Sequence, residues 1–164
     1  MIWDRDQVVS EVLSWIGTPY HKGARLKGVG VDCGLFPLEI FLRAGFLSPS
    51  DADELERLAP VNQDWFHHAV DEKYLKLVIR HARHVLTAIS YPTIREKALP
   101  GCIAVTRHAP SGVHHYNHGG IVTQWPRLVH AVSPRVKEID VTKDSMWCYR
   151  EVMIFDPWLK AAAK

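Results

Sequence analysis

The spacing of apolar residues changes near Pro92. Before it, apolar positions recur every three or four residues; after it they fall into short β-rich runs. Val8, Val9, Val12, Leu13 and Ile16 predict one face of a helix over Asp4–Ile16. Asp4 and Gln7 make a capping-box pattern at its start, and Gly17 followed by Pro19 ends it. Residues 17–31, with four Gly and one Pro, read as a loop. A second helix is expected from Cys33 to about Ala44, capped by Asp32 and closed by Gly45. Pro37 has no N–H to give the Cys33 carbonyl, so the first turn is expected to be irregular. Residues 48–64 are turn-rich, with a short helix expected over 51–58. A longer helix is expected from Asp64 to about Ile89, where Trp65, Phe66, Ala69, Leu75, Val78, Ile79, Ala82 and Leu86 repeat at helical spacing.

The second half predicts strands at 102–107, 119–124, 128–133, 136–141 and 149–155, several separated by Pro or Gly. Helices followed by a mainly antiparallel sheet make an α+β domain. The chain of 164 residues suits one domain, 1–164, with a helical insert at about 48–90. No internal repeat or linker interrupts it.

Composition narrows the function classes. The net charge is +2 and no run of basic residues occurs, so a nucleic-acid partner is not implied. Charged residues occupy the start, where a signal peptide needs an apolar run, and no segment is apolar enough to span a membrane. A protein that is cytoplasmic as synthesised is expected. Cys33, Cys102 and Cys148 lie far apart with no CxxC pair, which argues against a disulfide framework or a zinc ribbon. Cys102 and Cys148 are expected to be reduced structural residues. His67, His68, His81 and His84 are read as ordinary surface or satisfied side chains.

Chemistry concentrates at three places. The first is Gly30-Val-Asp-Cys-Gly34, where a thiol at a helix N-terminus gains thiolate character. The plain alternative is a buried core cysteine. The others are His118, which opens a strand, and His130, inside the next one. A hairpin across Gln124-Trp-Pro-Arg127 can set the two histidines directly opposite each other. Cys33, His118 and His130 then supply a nucleophile, a base and an orienting group. A rival is a metal site from His114, His115 and His118 with Cys102 or Cys148, but the segment lacks ligand pairs at zinc spacing. No metal and no cofactor is therefore expected.

Gly17-Thr-Pro-Tyr20, Asp32-Cys33-Gly34, Pro100-Gly-Cys-Ile-Ala-Val105, His118-Gly-Gly-Ile121 and Val129-His-Ala131 occur in an order that resembles the NlpC-type cysteine peptidases. The resemblance covers most of the chain. It implies a papain-like fold and hydrolysis of amide bonds in peptidoglycan stem peptides. It implies Cys33 as nucleophile, His118 as base and His130 as orienter. Tyr20 would serve the oxyanion or substrate site, and Asp32 would help to bind substrate. The Gly-Val-Asp-Cys form and the helical insert resemble prophage-encoded and tail-associated members. That implies phage tail proteins as partners and action in a virion or on the cell wall. The chain departs from the pattern at Gly34 (commonly Ser), at Gly101-Cys102 (commonly Gly-Asp), at Gly119 after His118, and at Pro37. Two other readings use the same residues. One is a catalytically silent tail or assembly protein that binds through the groove. The other is an amidase or acyltransferase acting on a small molecule.

Overall fold

A computed structural model describes residues 1–51, 53, 73–88, 98–107, 116–148 and 150–161. Its helices are α1 (Arg5–Leu13), α2 (Leu35–Arg43), α3 (Lys73–His81) and α4 (Pro157–Ala161). Its strands are β1 (Arg25–Leu26), β2 (Gly30–Val31), β3 (Arg83–Ala88), β4 (Ile103–Thr106), β5 (His118–Gln124), β6 (Arg127–Val132), β7 (Arg135–Asp140) and β8 (Val152–Asp156). β1 and β2 form a small hairpin, and the other six strands form one antiparallel sheet in the order β3-β8-β4-β5-β6-β7. This is the expected α+β class.

The capping box closes α1 as expected. Asp4 Oδ1 accepts the Gln7 N–H at 2.8 Å, and Gln7 Oε1 accepts the Asp4 N–H at 2.9 Å. The helix ends at Leu13, short of Ile16; its buried residues are Val8 and Val12, with Trp15 buried in the turn just beyond it, whereas Leu13 and Ile16 are exposed. The apolar face is thus narrower than the sequence reading had it. Gly45 ends α2 with φ of +81°, and the Phe46 N–H reaches back to the Phe41 carbonyl at 2.9 Å. That bond closes the helix in a left-handed cap that favours glycine.

Two expectations are corrected. The helix expected over 64–89 is α3 followed by β3, with residues 64–72 and 89 outside the described residues. Apolar positions spaced at Ala82 and Leu86 fit either period over so short a run. The free edge of β8 settles it, since β3 takes up its hydrogen bonds from Arg83↔Asp156 to Ala88↔Val152. The start of α2 is also later than expected: the regular helix begins at Leu35, not Cys33. The missing Pro37 N–H removes the bond that would have closed the turn at Cys33. Residues 54–58 of the short expected helix, His67, His68, His114 and His115 lie outside the described residues.

The sheet carries a core on each face. On one face α1, α2 and α3 pack Val8, Val12, Trp15, Phe36, Ile40 and Val78 against Ile103, Val105, Ile121, Val129 and Phe155. On the other, Cys102, Ala104, Val122, Leu128 and Ile154 pack with Val141 and Trp147. Alternation along each strand sends neighbouring residues to opposite cores. Among the described residues no helix is long and apolar enough to cross a membrane.

Candidate active site

Asp32 organises the loop that carries Cys33. Its Oδ1 accepts the N–H groups of Gly34 at 3.0 Å and Leu35 at 2.7 Å, while its backbone carbonyl accepts the Phe36 N–H at 3.0 Å. Asp32 therefore caps α2 as expected, although the regular helix starts three residues on. Its Oδ2 accepts the Gly23 N–H at 2.9 Å, and its own N–H donates to the Ala24 carbonyl at 3.1 Å. One buried carboxylate thus joins the loop before β1 to the start of α2. Cys33 is next in the chain, buried at 1% exposure, and its thiol is not in a disulfide. Tyr20 is held beside this loop by a bridge to Val31, with its N–H on the Pro134 carbonyl at 2.9 Å.

His118 and His130 meet on the sheet. His118 Nε2 and His130 Nδ1 are 2.8 Å apart, and both side chains are fully buried. The expected direct opposition is corrected. Ile121 pairs with Val129, and extending that register sets His130 across from Gly120, two residues from His118. The contact is therefore diagonal. A shift of two residues keeps both side chains on one face, whereas a shift of one would have separated them. Gly120 makes the room. A Cβ there would lie 2.6 Å from Leu128 Cδ1, 3.0 Å from the Val129 carbonyl oxygen and 3.4 Å from His130 Cβ.

Alternation puts this pair on the face of Val122 and Leu128, away from the core covered by α1 and α2. Trp147 covers it. Its ring centroid is 5.5 Å from His118 and 6.0 Å from His130, and its Nε1–H lies 3.3 Å from His130 Nδ1. The sequence reading missed Trp147. The one available signal was general: a buried indole needs a partner for its N–H. The chain entering β5 is anchored by Tyr116, whose hydroxyl donates to the Glu151 carboxylate, with Arg107 stacked on the Tyr116 ring at 4.6 Å.

Burial pushes the His130 imidazole down to about 4; Asp144 opposes the shift and Lys137 adds to it. His130 is therefore neutral at physiological pH, which suits an orienting group more than a proton carrier. Cys102 is different. Burial, then the Asp156 charge, pushes its thiol up to about 12 against the opposing pull of Arg5, 3.8 Å away. Cys102 and Cys148 are both free thiols. Among the described residues no group of three or more His, Cys, Asp or Glu side chains is arranged to hold a metal ion.

No protein-family model matches the sequence, and no curated protein matches it either. The fold does find similar structures. One is the NlpC/p60 domain of the peptidoglycan hydrolase SagA, at 17% identity and a TM-score of 0.53 over 93% of this chain and 98% of that one. The fold is thus the papain-like α+β architecture of an NlpC/p60 domain.

Proposed function

We propose that the protein is a cysteine peptidase that hydrolyses amide bonds in peptidoglycan stem peptides, with Cys33, His118 and His130 as its triad. The observation that carries this reading is the buried 2.8 Å His118–His130 bond in a fold shared with a peptidoglycan hydrolase domain. A pair of buried imidazoles on neighbouring strands is a costly way to fill a core, since a buried polar group left unmatched costs about 1–3 kcal/mol. It is the arrangement that base and orienter require. α2 packs on the other face of β5, so in this reading Cys33, which precedes α2, reaches His118 around the end of β5 where His118 opens the strand.

The Cys33 thiolate attacks the amide carbonyl, forming a C–S bond and an oxyanion. The Cys33 N–H and the Tyr20 hydroxyl are the proposed donors to that oxyanion, each worth roughly 3–4 kcal/mol when well placed. His118 gives its proton to the departing amine as the C–N bond breaks. It then takes a proton from water as the water oxygen attacks the thioester carbonyl; the C–S bond breaks, the acid leaves and the Cys33 thiolate–His118 imidazolium pair is restored. His130 holds the His118 ring in place through Nε2. Asp32 sets the nucleophile loop through its three backbone N–H bonds, which is how it would shape the substrate site. The single domain with an insert, and delivery by a phage tail, complete the proposal and rest on the sequence resemblance. Mass spectrometry of purified peptidoglycan fragments tests it. Wild type should release shortened stem peptides and Cys33→Ala should not; equal patterns from the two would reject it.

A further inference from the structure

The 2.8 Å bond between the two histidines can be made in two ways. In one, His118 Nε2–H donates to an unprotonated His130 Nδ1. In the other, His130 Nδ1–H donates to His118 Nε2. The choice matters because a neutral imidazole carries one proton. The first leaves His118 Nδ1 with a lone pair, able to take a proton from a thiol. The second puts the proton on Nδ1 and removes the base. The bond itself does not choose. Nor does His130 Nε2, which has no hydrogen-bond partner among the described residues in either case.

Trp147 chooses. An indole N–H can donate and never accept. It lies 3.3 Å from His130 Nδ1. In the second arrangement it would face another N–H; in the first, Nδ1 accepts from both rings. Trp147 has no freedom to turn away. Its side chain is fully buried, and its turn is tied to Asp144. The Trp147 N–H meets the Asp144 carbonyl at 3.0 Å, as does the Cys148 N–H at 2.7 Å, and the Met146 N–H meets Asp144 Oδ1 at 2.9 Å.

We propose that Trp147 is a positioning residue that fixes the tautomers of both histidines, holding His130 protonated on Nε2 and His118 protonated on Nε2. This rests on the peptidase reading for its catalytic meaning, with His118 Nδ1 as the base, but the tautomers themselves are testable without it.

Long-range ¹H–¹⁵N spectra of the full chain labelled with ¹⁵N-histidine read the tautomers directly at neutral pH. Wild type should show His130 protonated on Nε2 alone and His118 carrying a proton on Nε2, whether or not its Nδ1 has also taken the Cys33 proton. His130 protonated on Nδ1 would overturn the proposal, whatever the activity. Two variants separate the hydrogen bond from packing: Trp147→Phe, and Trp147 replaced by benzothienylalanine, which keeps the bicyclic shape without the N–H. In both, the His130 signals should move toward the other tautomer. Iodoacetamide labelling of Cys33 should slow about three- to tenfold, the scale of one neutral hydrogen bond. Labelling of Cys102, which reads core integrity, should stay unchanged. A benzothienylalanine protein with wild-type tautomers would also overturn the proposal. Labelling of Cys33 that ignores His118→Ala would instead reject the peptidase reading, and the wild-type spectrum would still judge the tautomer.

Discussion

Asp32 and His130 are both buried polar side chains, at 1% and 0% exposure, yet the fold treats them differently. Both Asp32 oxygens are met by backbone N–H groups, from Gly23 on one side and from Gly34 and Leu35 on the other. His130 meets only side chains, His118 and Trp147, and its Nε2 meets no hydrogen-bonding partner among the described residues. A group satisfied by backbone is part of the scaffold; its loss is felt as stability. A group satisfied by another titratable ring can be tuned without refolding the chain, and its loss is felt as chemistry. The two centres should therefore fail in different assays.

The largest effect is expected at the histidines. His118→Ala should leave a folded protein and lower turnover of peptidoglycan peptides about 10³-fold, the range for a lost general base. Circular dichroism alongside the kinetics checks both halves, and an unfolded variant would erase the contrast with Asp32. At the other centre, Asp32→Ala strands three N–H groups and should cost about 3 kcal/mol in urea unfolding, the sum of a lost cap and a lost charge-assisted bond. Asp32→Asn keeps an acceptor for the cap and should recover part of that. A stability equal to wild type in Asp32→Ala would break the scaffold half of the comparison.

The pH dependence sharpens it. His130 takes a proton at about 4 in the folded chain, against an ordinary value of 6.5. Between those values the unfolded chain binds a proton that the folded chain refuses, so stability falls as pH drops through this window. The integrated loss is about 3 kcal/mol. Urea melts at pH 7 and pH 4.5 on wild type and His130→Asn should show a shallower slope in the variant. Equal slopes would mean that His130 is not held neutral. The smallest effect is expected at Gly120. A Cβ there sits 3.0 Å from the Val129 carbonyl oxygen and 2.6 Å from Leu128 Cδ1, a flexible side-chain end. Gly120→Ala should cost about 1–2 kcal/mol by overpacking. Because the strain falls beside His130, turnover should drop more than stability does.

Much of this was legible in the sequence, for physical reasons. The capping box at Asp4 and Gln7, the cap at Asp32 and the left-handed Gly45 are local chemistry, and local chemistry is readable. The α+β class follows from a change of period near Pro92. That His118 and His130 would meet was readable, because one short hairpin joins their strands. Its register was not, because the hairpin carries an irregularity between Val122 and Gln124 that shifts the pairing. β3 was hidden because its partner, β8, lies some seventy residues on, and no local period reveals a distant edge. Trp147 was hidden for the same reason: the turn over 144–148 carries no mark of the strand it covers.

The central claim is that Cys33 is a nucleophile activated by His118. Cys33 and Cys102 offer a control within one molecule, since they are buried alike, at 1% and 0% exposure. If burial alone governed reactivity, both thiols would be slow. The decisive measurement is a pH series of iodoacetamide labelling, read by peptide mass spectrometry on wild type and His118→Ala. Near neutral pH the wild-type Cys33 should label at least about tenfold faster than Cys102, as expected of a thiol held as thiolate by a neighbouring imidazolium. His118→Ala should move the onset of Cys33 labelling to higher pH. A Cys33 rate that tracks Cys102 and ignores the loss of His118 would contradict the account.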